Sequence, residues 1–256
     1  YRERVTNPST GTSYSAAGCV YVFARDQDGG WAEEVRLESP MLATNWYFGY
    51  SVAMTEELLC AGSHMADGKR GAVYVYRRRS GLGPWELETT LTHAGAAAND
   101  LMGTIVSLSG NTVLAAMHGR NQAAARGVVF VRDPRTETWS EQAVLAPEGL
   151  ERDDRYSPGV ALEGDVAVIG AYQNDDPNEP GIYTGVLHLY VRTGTVWGEE
   201  HFTITASDAA DNDHFGRSVS LSGTTLVTGA PNAQGGKAYI FALTHYSPPP
   251  PPSAPP

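Results

Sequence analysis

Phe48-Gly49-Tyr50-Ser51-Val52-Ala53-Met54, then Leu59-Cys60-Ala61-Gly62-Ser63, then Gly71-Ala72-Val73-Tyr74-Val75-Tyr76 with Trp85 and Leu91, is one full statement of a unit that recurs along the chain. An aromatic-Gly pair opens it, two short apolar runs follow across a tight turn, and a Gly-led run of Val and Tyr leads to a Trp. The next copy carries Met102-Gly103, Val106, Val113-Leu114-Ala115-Ala116, Gly127-Val128-Val129-Phe130-Val131 and Trp139. A third reads Val160-Ala161-Leu162, Ala167-Val168-Ile169-Gly170-Ala171, Gly185-Val186-Leu187-His188-Leu189-Tyr190 and Trp197. A fourth begins at Phe215-Gly216, passes through Leu226-Val227-Thr228-Gly229-Ala230-Pro231 and stops at Tyr239-Ile240-Phe241, before any Trp. Ahead of them, Gly18-Cys19-Val20-Tyr21-Val22-Phe23 and Trp31 supply the back half of another copy. In all four front halves the Val of the first run precedes the start of the second by seven residues, as Val52 does Leu59.

Each unit holds four short segments of alternating polarity bounded by Gly, Ser, Asn and Asp, which is the pattern of an antiparallel four-stranded meander. Apolar spacing of three and four residues is nowhere sustained, so helices do not compete. Four-stranded units at this period bury their faces against one another around an axis, so the expected fold is an all-β β-propeller. The expected organisation is a propeller over 1–243, with repeats near 1–45, 46–99, 100–154, 155–212 and 213–243, followed by a proline-rich tail over 244–256. Five copies, the terminal ones incomplete, fit either a five-bladed ring or part of a larger one. The chain opens at Tyr1, without an initiator Met and inside a repeat, so upstream residues are expected to have been removed or omitted.

Phe48-Gly49 and Phe215-Gly216, together with Gly229-Ala230-Pro231, resemble the FG-GAP repeats of integrin α-subunit propellers, and more closely their calcium-free relatives in bacterial and algal surface proteins. Met102-Gly103, Tyr156-Ser157, Ala61-Gly62-Ser63 and Gly170-Ala171-Tyr172 are degenerate spellings of the same positions. The resemblance implies a scaffold, commonly of seven blades, and leaves the ligand open.

The net charge of −11 is spread over loops and disfavours a nucleic-acid backbone as partner. No apolar run approaches the roughly eighteen residues of a membrane span. Integrin-type blades hold calcium in the turn between their first two strands, a task that takes about six to eight oxygens. Here those turns are Glu56-Glu57, Ser109-Gly110-Asn111, Glu163-Gly164-Asp165 and Ser222-Gly223-Thr224, which read as hairpin turns. The loop with Asp175, Asp176, Asn178 and Glu179 is the one weak candidate for a cation, weighed against an exposed acidic loop. No cofactor is expected. His64 and His118 occupy the register at which Pro231 stands; two imidazoles are too few for a zinc site, and structural or surface roles are expected.

Cys19 and Cys60 are either a disulfide stapling two units or two free thiols. Trp31, Trp85, Trp139 and Trp197 recur at one step of the repeat and are expected to pack between blades. A sialidase-like reading fails on spelling, because Asp26 to Trp31 and Arg192 to Trp197 lack the order of an Asp-box. Neither a nucleophile elbow nor a phosphate loop is present, and the expectation is that the chain is not an enzyme.

The tail Ser247-Pro248-Pro249-Pro250-Pro251-Pro252-Ser253 should be a polyproline II rod rising about 3.1 Å per residue. Its spelling resembles the hydroxyproline-rich wall and surface glycoproteins of plants and green algae, which would make these residues modification sites. A plain linker or a peptide for a proline-binding groove is the alternative. The functional expectation is a non-catalytic extracellular structural or adhesion module: a subunit of a surface or wall glycoprotein assembly or filament, with protein partners that include further copies of itself. A carbohydrate-binding or carbohydrate-active propeller is the other reading.

Overall fold

A computed structural model describes residues 2–79, 83–118, 126–146, 159–172, 183–198 and 202–243. A small hairpin, β1 (Val5–Thr6) with β2 (Ser13–Tyr14), comes first. Five antiparallel sheets follow in chain order. Sheet one pairs β3 (Cys19–Arg25) with β4 (Trp31–Glu38), and sheet two is β5 (Val52–Met54), β6 (Leu58–Ser63), β7 (Ala72–Arg77) and β8 (Glu86–Leu91). Sheet three is β9 (Val106–Ser109), β10 (Thr112–Met117), β11 (Arg126–Arg132) and β12 (Trp139–Leu145). Sheet four orders β13 (Val160–Glu163), β14 (Val166–Ala171) and β15 (Val186–Thr193); β15 then pairs both β16 (Val196–Trp197) and β17 (Phe202–Ile204). Sheet five is β18 (Ser218–Ser222), β19 (Thr225–Ala230) and β20 (Lys237–Ala242). The fold is thus all-β and propeller-like in its repetition of meander sheets.

The register is the same in all four front halves: Val52 lies opposite Ala61, Val106 opposite Ala115, Val160 opposite Ile169 and Val219 opposite Thr228. The equal spacing seen in the chain is therefore a shared hairpin register. Gly110, Gly164 and Gly223 take φ of +53°, +56° and +56° at the first position of two-residue turns, a left-handed conformation that glycine adopts at little cost. A bulge falls at one place in three sheets, between Val22 and Phe23, Val75 and Tyr76, and Val129 and Phe130.

Successive side chains of a strand point to opposite faces, and the middle strands use both. In β6, Leu59 and Ala61 pack toward sheet one while Leu58 and Cys60 pack toward sheet three. In β14, Ala167 and Ile169 join the layer shared with sheet three, and Val166 and Val168 the layer shared with sheet five. Four apolar layers result, one per sheet junction, which is why these strands read as unbroken apolar runs and not as alternating ones.

An outer clasp reinforces the layers. Arg78 donates to Glu34 of the preceding sheet at 3.0 Å and lies 4.6 Å over the Trp85 ring. Arg132 donates to Glu88 at 2.7 Å. Arg192 reaches Gln142 at 3.4 Å and lies 5.1 Å over Trp197, whose indole also donates to Gln142 at 2.8 Å. The acceptors fall at one position of successive fourth strands. Trp85 and Trp197 are buried and Trp139 is half-buried, as packing between sheets requires, whereas Trp31 stands 69% exposed on sheet one.

One reading left open by the sequence is decided here, and one expectation changes. Cys19 and Cys60 are free: Cys60 points into the layer between sheets two and three, while the Cys19 thiol donates to Glu3 on the outer side of sheet one, so different layers hold the two sulfurs. Gly127 is not the counterpart of Gly71 and Gly185. Those two precede their strands at φ of +86° and +92°, whereas Gly127 lies inside β11 opposite Ala116, where Leu114 and Ile169 side chains would meet a Cβ at 2.7 and 2.9 Å.

Candidate functional site

The aromatic-Gly segments lie at the sheet junctions, tied to the residues that lead into the third strand of the preceding sheet. Phe48 N–H donates to Ala17 O at 2.8 Å, Met102 N–H to Arg70 O at 3.0 Å and Phe215 N–H to Thr184 O at 3.1 Å. Alternate residues there are left-handed: Asn45, Tyr47 and Gly49 at +63°, +53° and +75°; Asn99, Leu101 and Gly103 at +76°, +54° and +83°; Asn212, His214 and Gly216 at +63°, +59° and +88°. Asn and Gly accept this conformation readily, while Tyr, Leu and His hold it at a cost of about 1–2 kcal/mol each. Burial between the left-handed positions offsets that cost. Phe48 is fully buried edge-on to Tyr74 and Tyr76, Phe215 likewise against Tyr239 and Phe241, and Met102 fills the corresponding place between sheets two and three.

The glycines of the motif let backbones touch. A Cβ on Gly62 would sit 2.0 Å from Gly103 O, and one on Gly170 would sit 2.0 Å from Gly216 O. The first-half Gly of one unit thus abuts the second-half Gly of the unit before it. The two halves of the motif make a single contact across a junction.

This packing turns the intervening side chains outward on one loop face. His64, directly after β6, stacks on Tyr47 at 5.6 Å with 12° between planes, and meets Tyr50 at 4.1 Å. Ser63 anchors the turn by donating to Trp46 O at 2.7 Å. Burial pushes the His64 imidazole down to about 4. Tyr172, at the matching place after β14, lies 5.0 Å from the His214 ring and 5.5 Å from the Arg217 guanidinium. Asn232, next to Pro231, pairs with His214 Nδ1 at 3.0 Å. Burial, then the Arg217 charge, lowers the His214 pKa. The face therefore presents two aromatic and imidazole clusters, the second also carrying the Arg217 guanidinium, on a strongly acidic protein, a surface suited to stacking and hydrogen bonding. Periodicity alone did not reveal them: Tyr47, Tyr50 and His64 belong to one repeat and meet where its loops fold together after β6, and Tyr172 meets His214 and Arg217 of the next repeat only at a junction.

Buried carboxylates brace the same face. Asp100 accepts from Ala97 N–H at 2.8 Å and from Arg126 at 3.2 Å, and Asp213 accepts from Ala210 N–H at 3.0 Å. On the opposite end, a cleft of about 220 Å³ opens between the turns at Thr55 to Leu58 and Gly110-Asn111. Among the described residues no three His, Cys, Asp or Glu side chains group to hold a metal ion. Asp175, Asp176, Asn178 and Glu179 lie outside the described residues, as do Ser247 to Ser253 of the tail.

No curated protein matches the chain. Among solved structures, that of "a putative 6-phosphogluconolactonase" from Bacteroides uniformis ATCC 8492 superposes with a TM-score of 0.53 at 16% identity, covering 93% of this chain. The chain spans 63% of the length of that protein. Such a likeness shows the fold alone, and it corrects the expectation that the chain is not an enzyme: a protein assigned to catalysis carries this architecture, so the fold gives no ground for setting the chain outside enzymes. The FG-GAP repeat matches residues 31–76, 139–188 and 197–241, more than half of the chain. The shared hairpin register and the glycine contacts across the junctions are the physical content of that match, and the chain belongs to the FG-GAP repeat family.

Proposed function

We propose that this protein is an extracellular structural and adhesive module that engages protein partners of a cell surface or wall through the loop face bearing Tyr47, Tyr50, His64, Tyr172, His214 and Arg217. The observation that carries the reading is the pair of ring clusters held by left-handed backbone, one of them beside the Arg217 guanidinium, since strained residues are retained where the surrounding structure and a function both need them. In this reading the sheets belong to an integrin-like ring, and the tail from Ser247 is a stiff, glycosylated spacer that holds the module away from its anchor. A second reading, carbohydrate recognition by the same face, is favoured by the exposure of the Tyr50 ring beside His64.

Immobilised full-length chain exposed to purified wall glycoproteins, before and after enzymatic removal of their sugars, separates the two. Binding that survives deglycosylation and weakens at least tenfold in Tyr50→Ala supports a protein partner. Binding that vanishes with the sugars and appears on a glycan array supports carbohydrate. Absence of binding in both formats overturns the loop-face reading.

A further inference from the structure

Arg217, His214 and Asn232 meet over the junction of sheets four and five, on the loop face. Arg217 N–H donates to His214 O at 3.3 Å and Asn232 N–H to Asp213 O at 3.2 Å, so the three residues share one hydrogen-bonded frame. The Arg217 guanidinium turns back onto sheet four, 5.5 Å from the Tyr172 ring, and the His214 ring meets the same tyrosine edge-on at 5.0 Å. Stacking orients the plane of a guanidinium and leaves its N–H edge to a hydrogen-bond acceptor. Arg78 and Arg192 show what such an edge takes. Each lies over a tryptophan and donates to a carboxylate, Arg78 to Glu34 at 3.0 Å and Arg192 to Asp165 at 2.6 Å. Arg217 has the ring but, among the described residues, makes no ion pair, and both it and Asn232 are exposed.

Asn232 adds a second donor. Its side-chain nitrogen lies 3.0 Å from His214 Nδ1; an amide nitrogen only donates, so one N–H serves the imidazole, the other remains, and the neutral ring carries its own proton on Nε2. Asp213, the acid of the same segment, is buried and accepts from Ala210 N–H at 3.0 Å. A guanidinium edge beside a spare amide N–H is a donor set that fits the two oxygens of a carboxylate. We propose that Arg217 and Asn232 form a carboxylate-binding site that takes an Asp or Glu side chain of a protein partner. An acidic side chain is favoured over a sugar acid because the Tyr172 ring, on which a sugar would stack, is already engaged by Arg217 and His214. The inference rests on the loop-face reading and names the chemistry that the partner brings to it.

Nuclear magnetic resonance titration of the full isotope-labelled chain tests it, with N-acetylglutamate α-amide as probe and N-acetylglutamine amide as its uncharged match. The glutamate probe should shift the Arg217 Nε–H and Asn232 side-chain amide signals saturably, and the glutamine probe should not. Read at Asn232, Arg217→Gln should weaken binding about tenfold or more with the remaining spectrum unchanged, and Arg217→Lys should recover little, because an ammonium lacks the planar fork. Arg135→Gln, at an exposed arginine of sheet three, should leave binding as in wild type. Equal shifts from both probes, no shift from either, or undiminished affinity in Arg217→Gln overturns the proposal. Saturation by methyl glucuronide and not by the glutamate probe overturns the protein partner in favour of an acidic sugar. Wall-glycoprotein binding that persists undiminished in Arg217→Gln would remove only the carboxylate site, whereas a wild type that takes the glutamate probe and no wall glycoprotein would remove only the loop-face reading.

Discussion

Gly170 and Gly164 stand six residues apart and carry different physical burdens. Gly164 occupies a left-handed turn with open space around its α-carbon, so Gly164→Ala costs only the conformational penalty, about 1 kcal/mol. Gly170 abuts Gly216 O, and Gly170→Ala forces two sheets apart, for a loss of about 3 kcal/mol or more. Urea denaturation of the two variants checks the difference, and equal losses would refute the backbone-contact account. His64 makes a pH prediction. Its folded pKa of about 4 lies below the usual histidine value, so the unfolded chain binds the extra proton first. Stability is then highest above about pH 6.5 and falls by on the order of 2–3 kcal/mol as pH drops toward 4. His64→Phe should flatten that part of the stability-versus-pH curve. The thiols provide a third check: burial pushes Cys60 up to about 12 and burial with the Glu3 contact raises Cys19, so Ellman's reagent should titrate neither at pH 8 until the chain is unfolded.

At the scale of elements, the clasp links the third strand of one sheet to the fourth strand of the sheet before it. Arg132 and Glu88 are both largely shielded, with side chains 5% and 13% exposed, so removing Arg132 strands a carboxylate in poor solvent. Arg132→Ala should cost about 2–3 kcal/mol, and Arg132→Ala with Glu88→Ala clearly less than the sum of the single losses. The more open Arg78 and Glu34 pair, with side chains 13% and 26% exposed, should couple by about 1 kcal/mol or less. Additivity at Arg132 and Glu88 in a double-mutant cycle would reduce the clasp to incidental surface charge.

For the whole molecule, the four layers make stability a sum over neighbours, since each sheet is held by those on either side. Sheets two, three and four have two neighbours, whereas sheets one and five have one each among the described residues. Hydrogen exchange followed by mass spectrometry should therefore show the slowest amides in β6, β10 and β14, and the fastest in β3, β4 and β20.

The all-β class and the sheet boundaries were legible in the chain because they depend on local periodicity: equal spacing between Val and the next run is a hairpin register, and registers are short-range. The family followed from the same positions. Gly127 was misaligned because a glycine inside a strand and one before it look alike until a neighbouring sheet supplies the side chains that crowd it. The cysteine pairing stayed open because spacing does not say which face of a strand a thiol occupies. The clasp, the cluster at Tyr172, His214 and Arg217, and the contact of Gly170 with Gly216 arise between units, while the cluster at Tyr47, Tyr50 and His64 arises where the loops of one unit fold together. The contacts between units need two segments roughly forty to fifty residues apart to be placed within contact distance, and only the stacking of the sheets brings them together.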